Sequence, residues 1–533
     1  AAGLNTTTGA NVIATPTTNT TYTVSVINSE GCTGTATIQI TVNPDHCCLA
    51  SNYTFSSSFN TSGTPPFTSG SVSNLIFDIG PGVVITVNNT LILSNCVFRF
   101  GAGAGMVIAS PVTLSIINNS HLYSCMDTWN GIKLNPGSAL NFNSNSWLED
   151  AQIGIESVGG AVYTINTGIF NHNFINIQVD PSGPHNGTIK NSALTCRQIP
   201  IFPAPTIPLP FNTLPITNLP SPNSSLRTYV GMLINGVQSI QVGSPAKGGM
   251  NYFDNMDYGV WFKMSGATIQ NNQFQNISGK IHFSVAGGYY TGIAIYGQQT
   301  KTGSPLDVTI GGSTVGDPNI VTECYRGIDL SGDFRNITVL NNFENVSATN
   351  GPGIFSGTQV GLMGIYINPG STKNITVSNN NVTNFITGIM QVRGSTSSNA
   401  IVTYNANNIS ATALPGYCNY GMWFQDPSNV VATTSLTISN NVTANVYTGI
   451  NCTNLKGNAI PYTCYYNKFG MRYKTLTSFD QIGMLFSGCK AIQVHNNHVI
   501  CDPAAAAAGG KLNVAGIYLQ NSPTMYVHCN LVE

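Results

Sequence analysis

The sequence has very little charge. Lys, Arg, Asp and Glu make up 7% of its 533 residues and the formal net charge is −1, whereas roughly 25% charged residues is usual in soluble domains. Nucleic acids and anionic membranes are drawn to clustered Lys and Arg. We therefore expect neither nucleic acid nor an anionic membrane as a partner, and a surface covered mainly by amides, hydroxyls and backbone.

Long apolar runs and metal-binding cysteine motifs are also lacking. The longest apolar runs, such as "GVVITV" and "GMVIA", are far shorter than the ~20 residues that span a bilayer. We expect no membrane insertion. No charged-then-apolar signal opens the chain, as in a processed or internal segment. No CxxC with a matching second pair occurs, so no zinc site and no cofactor is expected.

What the sequence has is a repeated anchor: a glycine, an apolar residue, any residue, then an apolar residue. Apart from one interval of 55, the spacings run from 22 to 37 residues, which fits the coils of a solenoid. The fifteen anchors, one of them without glycine, are Gly82, Gly105, Gly131, Gly154, Asn176, Gly231, Gly259, Gly292, Gly327, Gly364, Gly388, Gly421, Gly449, Gly483 and Gly516.

A second strand follows each late anchor and ends in asparagines, as in "ITVLNNF", "ITVSNNNV", "LTISNNV" and "IQVHNNHV". Asparagine tolerates left-handed backbone and hydrogen-bonds its neighbours, so strands of period two broken by Asn pairs predict one coil stacked on the next. The first and third residues after each anchor, for example Ile365 and Ile367, should point into the core. Amide ladders are predicted at the turns from Asn379, Asn380, Asn440, Asn441, Asn496 and Asn497.

These runs are too short and too β-branched for helices, and leucine-rich or propeller signatures are missing. What remains resembles the right-handed parallel β-helix of pectate-lyase-like proteins. The expected fold is all-β: a right-handed parallel β-helix solenoid of about 15 coils over residues 47–533, preceded by a partial Ig-like β-sandwich hairpin over residues 1–46.

That hairpin is read from "TTYTVSVINSEGCTGTATIQITVNP", two alternating strands around a turn. It resembles the last strands of Ig-like modules in large secreted Bacteroidetes proteins. "NNTLILSNCVFRFGAGAGMVI" and "CMDTWNGIKL" resemble the first coils of exported Bacteroidetes β-helix proteins, which commonly use type IX secretion. The resemblance implies an extracellular or outer-surface location, with further domains of the same longer chain at both ends.

Cysteine and proline give two further expectations. The pairs Cys452/Cys464, Cys489/Cys501 and Cys96/Cys125 either form disulfides or contribute small buried side chains to the core. The Pro-rich segment at residues 197–227 accounts for the long interval between anchors, because its prolines cannot join a strand ladder. It is predicted to be a loop insertion that is either a recognition arm or a cover for an apolar flank.

Catalytic signatures are weak. Polygalacturonase-like enzymes carry "NTD", "DD", "GHG" and "RIK" motifs, and none of these strings occurs. The best acid cluster is Glu323, Arg326, Asp329 and Asp333, with Asp254 and Asp257 two coils earlier, and a surface ion pair of Arg326 is its simpler interpretation. His495 and His528 are spaced to stack on adjacent coils, as a metal pair or as ordinary turn side chains.

The second residue after each anchor should point outward. Down the later coils, this position is expected to hold Trp261, Ala294, Asp329, Tyr366, Met390, Trp423, Asn451, Leu485 and Tyr518. Flat exposed rings on a rigid sheet can stack against sugar rings, while Asn and Asp supply hydrogen bonds. The candidate binding residues are Trp261, Asp329, Tyr366, Trp423, Asn451 and Tyr518, unless loops cover this face.

The sequence thus favours a non-catalytic extracellular, cell-surface or fibre-forming β-helix segment. Its predicted role is as an adhesin or glycan-binding part of a larger exported protein, with a glycan or cell-surface ligand as partner. Two alternatives stay open: a β-helical polysaccharide lyase or glycoside hydrolase, and a purely structural rod or spacer.

Overall fold

The computed structural model describes most of the chain. The described residues are 4, 6–9, 11–14, 20–40, 50–125, 128–180, 187–196, 228–244, 249–277, 292–300, 306–312, 318–345, 361–370, 372, 374–393, 401–411, 419–427, 435–456, 462–471, 481–500 and 514–533. The Pro-rich segment at 197–227 lies outside these ranges. Among the described residues, no helix has the length and apolar character needed to cross a membrane.

The N-terminal hairpin is present. Thr20–Ile27 pairs antiparallel with Thr33–Ile40 over eight residues. Asn28 closes the turn, because its Oδ1 accepts hydrogen bonds from the backbone N–H of Glu30 (3.0 Å) and of Cys32 (2.8 Å). Its assignment to an Ig-like module stays a prediction.

From residue 53 onward the chain is a parallel β-helix. Each complete coil contributes three strands, and each strand pairs in parallel with its counterpart on the next coil, except that Thr188–Lys190 does not pair with Ile240–Val242. In one coil these strands are Asn374–Ser378, Asn381–Thr383 and Phe385–Val392. We name the three resulting layers sheet 1, sheet 2 and sheet 3 in that order. Sheet 1 is a six-stranded and a ten-stranded piece, and sheets 2 and 3 are joined into 32 strands because Asn251–Lys263 belongs to both.

The strands of sheet 1 are Ser71–Ser73, Leu91–Ser94, Thr113–Ile117, Ala139–Asn143, Val162–Asn166 and Thr188–Lys190, then Ile240–Val242, Ala267–Ile269, Asp307–Ile310, Asn336–Leu340, Asn374–Ser378, Ile401–Asn405, Ser435–Ser439, Tyr462–Tyr465, Ile492–His495 and Tyr526–His528. Those of sheet 2 are Tyr53–Phe55, Ile76–Ile79, Val97–Phe100, His121–Ser124, Trp147–Glu149, Ile169–Asn171, Ala193–Thr195, Asn272–Ile277, Ile320–Thr322, Phe343–Asn345, Asn381–Thr383, Asn408–Ser410, Val442–Val446, Lys468–Met471, His498–Ile500 and Leu531–Val532. Those of sheet 3 are Phe59–Asn60, Val84–Val87, Gly105–Ile108, Gly131–Leu134, Ile153–Ser157, Ile175–Val179, Thr228–Asn235, Ile293–Gln299, Arg326–Gly332, Gly361–Pro369, Phe385–Val392, Tyr420–Gln425, Thr448–Thr453, Gln481–Ser487 and Val514–Gln520. Two short 3-10 helices, Thr61–Gly63 and Phe67–Ser69, precede the first strand of sheet 1.

A buried asparagine ladder closes the turn between sheets 1 and 2. In each rung an Nδ2 donates to the Oδ1 of the next asparagine at 2.9–3.0 Å. The ladder runs through Asn251, Asn272, Asn319, Asn342, Asn380, Asn407, Asn441, Asn467, Asn497 and Asn530. It therefore contains the second member of each predicted pair. The first members, Asn379, Asn440 and Asn496, instead provide the left-handed backbone of the turn.

The core confirms the predicted inward positions. Ile365 and Ile389 are fully buried and directly paired on neighbouring parallel strands. The anchor glycines are needed because the chain packs closely behind them. A Cβ at Gly364 would collide with the Val382 side chain of sheet 2 and lie 2.7 Å from the Gly388 carbonyl oxygen.

Two anchors were assigned two residues too early. Gly105 pairs with Val84 rather than with Gly82. Gly259 is matched by Ala294 rather than by Gly292, because Val260 pairs with Ile295. A shift of two residues keeps the same alternation along a strand, so the repeated pattern alone does not detect it.

Of the two alternatives for the three cysteine pairs, the disulfide one is wrong; Cys501 itself lies outside the described residues. Cys96, Cys452, Cys464 and Cys489 are all free and buried, and Cys125 is disulfide-bonded, although not to Cys96. The second alternative, small buried side chains, is the observed one, because these four free thiols lie in the hydrophobic core. Burial accordingly raises the pKa of Cys464 to about 12.

Candidate functional site

Two lines of side chains in sheet 3 face away from the core, one before and one after the anchor. The residue two positions after each anchor forms what we call the outer column, in register from coil to coil. From Gly231 onward its members are Leu233, Trp261, Tyr296, Asp329, Tyr366, Met390, Trp423, Asn451, Leu485 and Tyr518. All six predicted binding residues belong to this column.

One member of the expected set was wrong. Ala294 is completely buried in the core cluster, where it takes the place of an anchor glycine. The outward residue of that coil is Tyr296, which pairs with Trp261 on one side and Asp329 on the other. The column therefore has one more aromatic ring than the sequence indicated.

Exposure varies along the outer column. Trp261, Tyr296, Tyr366 and Trp423 are half-buried, and Tyr518 is 45% exposed. Two candidate residues are largely covered, since Asp329 is 3% exposed and Asn451 is 6% exposed. The rings are thus partly accessible, while the two polar candidates lie deeper between them.

In the coils from Ile175 to Arg326, the residue just before the anchor also faces outward, and this was not anticipated. Strict alternation would place it inward, but the anchor and the residue after it both face the core, as at Gly259, where an added Cβ would meet the Phe274 side chain. These preceding residues are in register from Ile175 through Val230, Tyr258, Ile293 and Arg326. The first four form an apolar cluster that is separate from the main core and packs against Trp261 and Tyr296.

Five aromatic rings meet in this outer cluster. Tyr258 stacks on Trp261 with ring centroids 4.8 Å apart, and Trp261 lies 5.5 Å from Tyr296. Tyr229 stacks on Phe174 at 5.4 Å and meets Tyr258 edge-on at 5.6 Å. Stacked and edge-on pairs at these distances stabilise each other, so the cluster is a pre-formed aromatic surface on the outside of the rod.

Polar side chains border the rings. From Gly259 onward the residue four positions after the anchor forms what we call the polar column, which is interrupted by Val392 and otherwise carries Lys263, Gln298, Ser331, Asn368, Gln425, Thr453, Ser487 and Gln520. Lys263 Nζ lies 3.8 Å from the centroid of the Trp261 ring, a cation–π contact. Trp261 Nε1 donates to Gln298 Oε1 at 3.3 Å, and Gln298 Nε2 donates to the Tyr296 hydroxyl.

Arg326 and Asp329 form an ion pair within this surface. Arg326 Nη1 donates to Asp329 Oδ2 at 2.5 Å, and the guanidinium carbon lies 5.9 Å from the Tyr366 ring centroid. Burial raises the pKa of Asp329, and the charge of Arg326 offsets part of that rise. Burial and the Asp329 charge also raise the pKa of Tyr296. The simpler interpretation of the acid cluster, an ion pair of Arg326, is therefore the observed one.

Asp254 and Asp257, the two acids of the candidate catalytic cluster that lie two coils earlier, are buried. Asp254 is fully buried and accepts hydrogen bonds from Thr195 Oγ1 (3.1 Å) and Asn276 Nδ2 (2.9 Å). Asp257 is 1% exposed. Within the described part of the chain, no three His, Cys, Asp or Glu side chains are arranged to hold a metal ion.

The predicted histidine stack is confirmed. The rings of His495 and His528 lie 5.1 Å apart at 7°, and Tyr465 continues the stack at 5.2 Å from His495. A second histidine feature was missed by the sequence analysis: His121 Nε2 lies 2.6 Å from Glu149 Oε2 in a buried pair. Burial acts to raise the pKa of Glu149, but the hydrogen bond and charge of His121, together with the charge of His172 and a hydrogen bond from Asn171, hold that pKa below its usual value.

No protein-family model matches this chain, and no curated protein sequence matches it. The indications of its function are therefore the fold and the side chains on the outer face of sheet 3.

Proposed function

We propose that this chain is a non-catalytic, extracellular β-helix segment of a larger exported surface protein, and that it binds glycan along the outer column of sheet 3. The observation that carries the proposal is the row of partly exposed rings in the outer column, at Trp261, Tyr296, Tyr366, Trp423 and Tyr518. Sugar rings present apolar C–H faces that stack on such aromatic surfaces.

The energetics favour an uncharged ligand. A chain with 7% charged residues exerts little long-range attraction on ions. Affinity must then come from aromatic area and from hydrogen bonds made by the polar column. Since the rings stand on paired strands, and Trp261 and Tyr296 also contact each other, little side-chain entropy is lost when a ligand binds.

The β-helical lyase or hydrolase alternative has less support. Uronan cleavage needs free carboxylates for calcium and a free basic side chain. Arg326 is paired with Asp329, and Asp254 accepts two hydrogen bonds from Thr195 and Asn276.

A purely structural rod is the second candidate. The asparagine ladder favours it, because a continuous run of buried amides along ten turns stiffens the stack of coils whether or not a ligand binds. One segment can be both a rod and a glycan-binding surface. A rod alone, however, does not require the aromatic rings of the outer column.

Native gel electrophoresis in the presence of soluble polysaccharides tests the proposal. We expect hydroxyethylcellulose or glucomannan, which are uncharged, to retard the protein in a concentration-dependent manner. Polygalacturonate and alginate serve as charged comparisons, and their incubation with the protein should release no unsaturated or reducing sugar. Unchanged mobility in every uncharged polysaccharide would reject glycan binding and leave the structural rod.

A further inference from the structure

The Arg326–Asp329 pair occupies a special place in the aromatic surface. Asp329 is in the outer column directly between Tyr296 and Tyr366. Arg326 is in the column before the anchors, beside the same two rings. The carboxylate side chain is 4% exposed and that of Arg326 is 26% exposed. A salt bridge is thus set between two tyrosine rings, where a ligand stacked on those rings must pass over it.

Two N–H donors on this face have no acceptor among the described residues. They are Arg326 Nε and, three coils further along, Trp423 Nε1. A buried donor without an acceptor is strongly disfavoured, so each is expected to gain an acceptor oxygen in the functional state. Both side chains are partly exposed on the outer face of sheet 3.

The spacing suits one extended ligand. Neighbouring strands of a sheet are about 4.8 Å apart, which is comparable to the length of one pyranose residue in an extended β-linked chain. A glycan that lies parallel to the rod axis therefore advances by about one sugar per coil. From Tyr296 to Trp423 it would meet in turn an aromatic ring, a salt bridge, a second ring, Met390 and a third ring.

We propose that Arg326, Asp329 and Trp423 form the polar contacts of a subsite that selects an uncharged, hydroxyl-rich glycan running along the rod axis. The inference rests on the proposed glycan-binding function and adds the ligand's charge and direction. A sugar hydroxyl both donates and accepts, so it can donate to Asp329 while neighbouring oxygens accept from Arg326 and Trp423. A uronate cannot donate from its carboxylate, and Asp329 already neutralises Arg326 and repels a second negative charge.

The test measures retardation by hydroxyethylcellulose and by polygalacturonate for three variants. Trp423→Phe keeps an aromatic ring but removes the N–H together with part of the stacking area. We expect it to weaken the hydroxyethylcellulose interaction roughly 3- to 10-fold, as for loss of one hydrogen bond. Arg326→Lys should weaken it by about 10-fold or more, since the charge is kept but the planar guanidinium fork and its Nε–H are lost. Asp329→Asn frees the guanidinium and should make polygalacturonate a better ligand than it is for the wild-type protein.

Two comparisons separate this inference from the function on which it rests. Tyr366→Ala tests ring stacking alone, and Tyr466→Ala removes an exposed ring outside the columns as a control. If Tyr366→Ala weakens binding but Trp423→Phe and Arg326→Lys bind as the wild type does, the polar subsite is wrong and the glycan-binding function stands. If the wild type is retarded by no uncharged polysaccharide, both fail. A wild type that prefers polygalacturonate also overturns the subsite.

Discussion

Trp261 and Tyr296 occupy equivalent positions on neighbouring coils, and their ring centroids are 5.5 Å apart with an interplanar angle of 34°. Parallel, in-register pairing of the two strands imposes this arrangement. Any residue type repeated at that position forms a line along the outside of the rod, and here the type that recurs is aromatic. This relationship is the basis of the functional proposal and of the first prediction.

Removing one ring from the outer column should weaken glycan binding without unfolding the protein. Tyr366→Ala is expected to reduce the affinity for hydroxyethylcellulose by about 0.5–1.5 kcal/mol beyond the lost contact area. Tyr366 is half-buried and faces away from the core, so the unfolding midpoint should change little. Affinity is read from gel retardation across a polysaccharide concentration series. An equal loss in the Tyr466→Ala control would show that the effect is not specific to the column.

The anchor glycines should differ in their tolerance of alanine. At Gly364 an added Cβ meets Val382 and the Gly388 carbonyl oxygen, whereas at Gly105 the nearest atom, Asn130 Cβ, is 3.3 Å away. We predict that Gly364→Ala lowers the free energy of unfolding by about 1–3 kcal/mol through overpacking, and that Gly105→Ala has a much smaller effect. Chemical denaturation followed by circular dichroism measures both. Equal effects would mean that close packing behind the anchor is not what requires glycine.

The anchors also show how far the sequence could predict the structure. The repeated glycine predicts the parallel coils and the inward positions, and Ile365 and Ile389 lie where expected. Tyr296 was missed because "GIAI" fits the pattern as well as the true register, in which Ala294 replaces glycine. Tyr258 was missed because Gly259 and Val260 both face the core, which breaks strict alternation. Both errors concern local backbone geometry, which a hydrophobic pattern of period two does not encode.

The asparagine ladder should contribute strongly to stability. Asn407 donates from Nδ2 to Asn441 Oδ1 at 2.9 Å and to the Val377 carbonyl at 2.9 Å, while its Oδ1 accepts from Asn380 Nδ2 at 3.0 Å. Asn407→Ala leaves several buried partners unsatisfied, at about 1–3 kcal/mol for each such group. The neighbouring Asn408 is exposed and makes one long side-chain contact of 3.4 Å.

Asn408→Ala is therefore a matched control for Asn407→Ala. We expect the midpoint of chemical denaturation to fall clearly for the Asn407 variant and to stay near the wild-type value for the Asn408 variant. Similar midpoints for the two variants would contradict a stabilising role of the ladder.

Glu344 should make stability depend on pH. It occupies an inward position of sheet 2 between Val321 and Val382, is completely buried, and neither carboxyl oxygen has a partner among the described residues. Burial raises its pKa well above the usual 4.5. The folded chain thus keeps a proton that the unfolded chain releases above about pH 4.5. This contribution to stability is complete below that pH and is lost progressively as pH rises towards the folded-state pKa.

Replacing Glu344 should remove this dependence. Glu344→Val matches its neighbours in the column, so the variant should be more stable than the wild type, with a difference that grows from pH 4 to pH 8. The expected slope is at most about 1.4 kcal/mol per pH unit. Denaturation curves at several pH values measure it, and Glu344→Gln separates the effect of charge from that of polarity. A constant difference between wild type and Glu344→Gln across this range would show that Glu344 is ionised in the folded protein.

Tryptophan fluorescence tests glycan binding on the outer column most directly. The chain has four tryptophans; Trp129 and Trp147 are 0% and 6% exposed, and Trp261 and Trp423 are half-buried in the outer column. Titration with hydroxyethylcellulose is predicted to shift the emission of the wild-type protein, and this shift should disappear in the Trp261→Phe/Trp423→Phe double variant while the fold is kept. A shift that persists in the double variant, or retardation by the polysaccharide without any change in wild-type emission, would place binding elsewhere and contradict the proposal.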